Sequence, residues 1–245
     1  MTAGTSGPAT RGRRPVDALR PQPGTGRPPW WLVAAGVLVT ALMTADLLGG
    51  GALERLDGRV SEVLGAWDLR DGAGYPLLWL ATQFGGRAVL VVALLAVAVV
   101  AGRRRRTLRP LVQAVLALAL LTAVVYAFKL GAARTAPAFP GGSSFHRDGT
   151  SFPSGHVADA VVVWGVVRWQ AVAYRMPAAV QRLTAALAVL APVVAGGSML
   201  LLDFHWLTDV VAGAAVGVSL LGVVHALDGV ALSLWVRARA GRRSA

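Results

Sequence analysis

Leu111 to Leu130 reads LVQAVLALALLTAVVYAFKL, and this stretch decides what kind of protein the chain forms. It holds a single charge, Lys129, close to its far end. As one helix it would span about 30 Å, the thickness of bilayer hydrocarbon. Arg103 to Arg106 and Arg109 stand at its start, where charge meets water. Comparable apolar runs occupy Leu32–Leu48, Pro76–Ala101, Ser154–Ala173, Leu183–Leu202 and Trp206–Leu227. These runs predict an all-α, polytopic membrane protein, a bundle of six transmembrane helices.

Composition agrees. The chain is 55% hydrophobic and 15% charged, with a mean hydropathy of +0.58. Its net charge of +12 comes from arginines in short clusters between apolar runs, which is how topology is encoded. A nucleic-acid partner is therefore not expected. The absence of cysteine excludes disulfides and thiolate metal sites. Against 23 arginines there is one lysine, Lys129, at the mouth of an apolar run.

Outward from the deciding stretch, three regions are expected. Residues 1–29 are rich in Gly, Pro, Thr and Arg with little to bury, and read as a disordered cytoplasmic tail without a removable signal peptide. Residues 30–228 form the membrane domain, entered through the interfacial pair Trp30 and Trp31, and 229–245 form a basic tail. Within the domain, 49–75 interleaves charges with Leu53, Leu56, Val60 and Leu64, the pattern of an amphipathic helix lying on the membrane. A glycine-rich loop, 131–153, follows the third run.

The basic segments alternate with mixed ones. The positive-inside rule then puts both termini in the cytoplasm of a plasma-membrane protein. It also brings Lys129, the 131–153 loop, His156 and His205 to one exoplasmic rim.

Those residues carry chemistry. His205 and Asp209 stand four apart, so on a helix they share a face. The carboxylate can then hold one ring nitrogen and leave the other as a nucleophile. His156, after a Pro-Ser-Gly turn, is placed to act as a general acid. Ser154 is a good N-cap, and the free amides of that helix start suit an anion. With Lys129 nearby, the set fits a phosphate ester.

Three motifs bear this out: Lys129-x6-Ala136-Pro137, then Pro153-Ser154-Gly155-His156, then Ser198-Met199-x5-His205-x3-Asp209. In order and spacing, over about 80 residues, they resemble the type 2 phosphatidic acid phosphatase superfamily, membrane lipid phosphatases related to vanadium haloperoxidases. Ser198 falls on the serine of the third motif. The resemblance implies a bundle of that type in which His205 attacks phosphorus, Asp209 orients it and His156 protonates the leaving oxygen. Lys129, Ser154 and the Gly155 amide would hold phosphate oxygens. No cofactor or metal is implied, although His156, Asp159, Asp203, His205 and Asp209 are metal-capable types. Two positions depart from the family pattern: Ala136 and Met199 stand where it has phosphate-clamping arginines. Arg134, Arg147 and Arg87 are candidate substitutes, Arg134 first because it lies two residues from the vacancy.

The expected activity is hydrolysis of a lipid phosphate monoester or pyrophosphate: polyprenyl pyrophosphate, phosphatidate or phosphatidylglycerol phosphate. A catalytically silent lipid-phosphate binder or transport partner on the same scaffold is the rival. Asp46, Asp159 and Asp203 have no role assigned from sequence. His146 and His225 are expected to be ordinary interfacial residues.

Overall fold

The computed structural model describes residues 28–139, 143, 145 and 149–244, and every element among them is helical. The expected tail lies almost wholly, and His146 and Arg147 entirely, outside the described residues.

Helix α1, Trp30–Leu48, starts directly after Pro29, whose fixed φ suits a helix entrance. The amphipathic segment is α2, Ala52–Gly65. Its start is capped from the end of α1, where the Asp46 carboxylate accepts the Ala52 and Leu53 amides at 3.3 and 2.8 Å. Asp46 thereby serves the structure, answering helix-start amides that hydrocarbon would leave unpaired. The second apolar run is broken into α3, Tyr75–Thr82, and α4, Arg87–Arg105, bent by 42° at Gln83–Gly86. Helices α5, Arg109–Ala132, α6, Gly155–Ala173, α7, Ala178–Leu201, and α8, Leu207–Ser244, complete the bundle. Helix α8 continues without a break past position 228.

The membrane fold matches the sequence reading, and the count of six spans is not matched exactly. Helices α1, α5, α7 and Leu207–Ala231 of α8 are long and apolar enough to cross a membrane, and bent α3–α4 makes a fifth. Helix α6 differs because it is the bundle's axis, packed against α4, α5, α7 and α8. Ala158, Ala160, Val162, Val163, Val166 and Val167 are all buried. A helix sheltered by other helices does not meet lipid, so it can carry His156, Asp159, Arg168 and Gln170. The outer helices show the reverse pattern, with Leu38, Val92, Val115, Leu183 and Val193 exposed as an apolar coat.

Polar contacts stitch the bundle at the end away from His156. Arg109 Nε donates to Asp228 Oδ1 at 3.0 Å, and Gln113 Nε2 to the same oxygen at 2.9 Å. His225 is buried there, its ring stacked on Trp169 at 3.9 Å between centroids. At the other end two glycines set the spacing on which the site depends. A Cβ on Gly85, in the α3–α4 break, would collide with the His156 carbonyl oxygen. A Cβ on Gly213 of α8 would lie 2.6 Å from the Ser154 carbonyl oxygen. Only hydrogen at these positions lets α4 and α8 close on the start of α6.

Candidate active site

A cavity of about 410 Å³ opens where α4, α5 and α6 meet the α7–α8 turn. Arg87 comes from the first turn of α4, and Val125, Tyr126 and Lys129 from the last turns of α5. Gly155, His156 and Asp159 come from the first turns of α6. Ala136, Thr150 and Ser151 belong to the connecting loop, and Phe204 and His205 to the turn before α8. The two imidazoles, 49 residues apart in sequence, therefore share one cavity. A larger apolar groove of about 560 Å³ between α1, α5 and α8 has no titratable lining residue.

His205 owes its position to the way α8 begins. The chain leaves α7 through Asp203, in the left-handed region at φ 58°, and α8 starts only at Leu207. His205 thus precedes the helix, rather than sharing a helical face with Asp209. Asp209, in the first turn, reaches back so that its Oδ2 accepts the Trp206 amide at 3.0 Å, one half of a capping box. Trp206 cannot supply the other half. Asp57 of α2 instead answers the neighbouring free amide, its Oδ1 accepting from the Thr208 N–H at 2.9 Å.

Asp209 is held at both oxygens. Arg134 Nη1 donates to Oδ1 at 2.8 Å. Ser151 Oγ donates to Oδ2 and lies 3.2 Å from His205 Nδ1, while the direct Nδ1–Oδ2 separation is 3.4 Å. A serine hydroxyl has one proton. Spent on Asp209, it leaves Oγ as an acceptor for Nδ1–H, which fixes the tautomer and makes Nε2 the free nitrogen. A hydroxyl thus stands between the histidine and its aspartate.

Arg134 is placed differently from its expected role at the substrate. It is fully buried and does not line the cavity. Its guanidinium bridges Asp57, at 2.7 Å, and Asp209, at 2.8 Å, and also donates to Thr208 and Ser143. Trp206 and Phe145 stack over it at 5.2 and 5.3 Å. The cause is local: Ala133, at φ 42°, turns the chain in the left-handed sense directly after α5 and sends the next side chain inward. Two carboxylates share this one cation, so the cluster keeps a negative charge beside the His205 ring.

The other sequence candidates divide. Lys129 lines the cavity, its ammonium bonded to the Thr150 carbonyl. Gly155, at the start of α6, faces the same space. Ser154 stands at the N-cap position without a capping bond, its hydroxyl buried with no hydrogen bond to any described residue. The Ser154 amide instead donates to the Asp209 carbonyl at 2.9 Å, tying α6 to α8. Ser198 is buried and bonds the Ala195 carbonyl at 3.0 Å, away from the cavity wall. Ala136 does face the cavity, while Met199 is buried and does not. Asp159 pairs with Arg87 through two 3.0 Å hydrogen bonds. Asp203 turns to α2, accepting from Ser61 at 3.0 Å.

Sequence reasoning missed Asp57 and Ser151. Asp57 does leave a trace, since it lies four residues after Leu53 and three before Val60, on the apolar stripe of α2. A carboxylate there needs a buried partner. Ser151 leaves none, because nothing local says where a glycine-rich loop returns.

Comparison with known proteins agrees with the motifs. No protein of curated function matches the chain by sequence. Among solved structures it is similar to a transmembrane PAP2-type phosphatidylglycerolphosphate phosphatase from Bacillus subtilis, with TM-score 0.60 and 20% identity over 82% of this chain and 96% of that one. That likeness concerns the fold. The PAP2 superfamily model matches residues 110–231, which include all three motifs, and through them this multi-pass membrane protein belongs to the PAP2 superfamily.

Proposed function

We propose that the protein hydrolyses a phosphate monoester or pyrophosphate on a lipid at the outer membrane face, through a phosphohistidine on His205. The observation that carries this is the meeting of His205, backed by Ser151 and Asp209, with His156, Lys129 and the α6 start in one cavity.

His205 Nε2 attacks phosphorus in line, forming the P–N bond as the bond to the lipid oxygen breaks. Protonated His156 gives its proton to that oxygen, and the lipid alcohol (or lipid monophosphate, from a pyrophosphate) leaves. Neutral His156 then takes a proton from water as the water oxygen attacks phosphorus and the P–N bond breaks. Orthophosphate departs and both histidines are restored. Positive charge gathering on the His205 ring is offset by the carboxylate excess behind it. Lys129 and the Gly155 amide hold the non-bridging oxygens. The substrates in keeping with this are polyprenyl pyrophosphate, phosphatidate and phosphatidylglycerol phosphate, the last being the one named for the Bacillus structure.

The rival, a silent lipid-phosphate binder, draws on Ala136 and on the carboxylate of Asp159 in the cavity wall. Incubating detergent-solubilised protein with lipid phosphate labelled at phosphorus separates the two. Expected is an acid-labile, base-stable label and released orthophosphate, both lost in His205→Ala. Equal labelling of the two proteins, with no orthophosphate released by either, would favour the rival.

A further inference from the structure

The three arginines that sequence offers as replacements for the absent clamp do not stand alike. Arg134 is enclosed behind the site and bound to two carboxylates, and Arg147 lies outside the described residues. Arg87 lines the cavity beside Lys129, His156 and His205. Its Nε and Nη2 each donate to Asp159 at 3.0 Å, and Nη1 donates to Thr122 at 3.1 Å. A guanidinium has five N–H groups. Two of them, one on each terminal nitrogen, have no partner among the described residues, and the side chain is 40% exposed.

Its placement is built into the fold. Asp159 follows His156 by three residues, so both stand on one face of α6. Arg87 is the first residue of α4, immediately after the break where Gly85 rests on the His156 carbonyl. One close backbone contact thus sets where both the imidazole and the guanidinium stand. Without Arg87 the fixed charges of the cavity wall, Lys129 and Asp159, would cancel and leave no net positive charge to oppose a phosphate dianion.

We infer that Arg87 contacts the substrate phosphate alongside Lys129, serving in place of the arginines absent at positions 136 and 199, with Asp159 as its positioning partner. The inference deepens the proposed reaction and rests on it for the identity of the ligand. Asp159 occupies the Nε–Nη2 edge and holds the fork in place, and the remaining N–H groups on the terminal nitrogens meet phosphate oxygens. The pair is thus a clamp assembled across two helices instead of one read from a motif.

The competing account is that Arg87 only neutralises a carboxylate inside the membrane. Binding of inorganic phosphate to the solubilised full chain, measured by titration calorimetry, decides between them without requiring turnover. Arg87→Met and the double variant Arg87→Met/Asp159→Asn should both lose affinity by about 10- to 100-fold, the usual worth of a charge-assisted hydrogen bond. The double variant leaves no unpaired charge, so its folding is secure if the single variant fails to fold. Arg87→Lys should fall between, keeping charge without the fork. Asp159→Asn should bind phosphate at least as well as the native chain, yet turn over lipid phosphate with lower kcat and unraised KM. Native phosphate affinity in the double variant would overturn the inference. If phosphate binding depends on Arg87 while His205→Ala labels like the native protein, the hydrolase reading fails and the Arg87 assignment stands.

Discussion

Arg134 and Arg87 make the same bond in two settings, each donating to an aspartate across helices at about 3 Å. Arg134 is wholly enclosed, with carboxylates on both sides and rings over it. Arg87 keeps 40% of its side chain exposed and has donors to spare. The difference teaches that an arginine's role near a phosphate site follows from how many of its N–H groups remain for an incoming anion. Nearness to a motif in sequence is a poor guide.

The comparison is broken most severely at Arg134. Arg134→Met leaves Asp57 and Asp209 buried without their cation and should cost about 3–5 kcal/mol of stability. Thermal unfolding and size-exclusion chromatography in detergent should show loss of the folded species, where Arg87→Met/Asp159→Asn stays monodisperse. Asp57→Asn is a milder cut. The amide keeps an acceptor for the Thr208 N–H but loses the charged bond to Arg134, so a drop of about 1–3 kcal/mol is expected in denaturant unfolding. Turnover should survive it, since Asp209 keeps Arg134. The smallest effect belongs to Ser151→Ala. It removes the hydroxyl between His205 and Asp209 and leaves only the 3.4 Å direct approach. About a tenfold fall in kcat with KM unchanged is expected in steady-state assays, from the loss of the hydroxyl's bond to the His205 ring. A KM change instead would move Ser151 from the histidine to the substrate.

Sequence reading reaches the cavity's centre but misjudges its support. His156, His205 and Lys129 are legible because motif register and span topology bring them to one end of the bundle. Proximity along the chain assigns Arg134 to the substrate, and the left-handed turn at Ala133 sends it the other way. Asp57 reads as one more charge of an amphipathic helix, although its place on the apolar stripe tells against solvent. Asp46 and Asp203, for which sequence offers no role, answer helix-start amides and a serine of α2. Helix α6 is less apolar than the helices around it for a related reason: it packs among other helices, so its sequence need not suit lipid.

Sequence by itself determined that the chain lives in a bilayer as helices and that His156, His205 and Lys129 belong to one end of the bundle. Transfer into hydrocarbon depends on composition run by run, and motif spacing is preserved along the chain. Only tertiary structure decided which arginine stands behind His205 and which faces its cavity. That choice rests on pairings between residues as far apart as Asp57 and Arg134, or Arg87 and Asp159. Such pairings depend on helix packing and on single backbone turns, neither of which is written in local sequence.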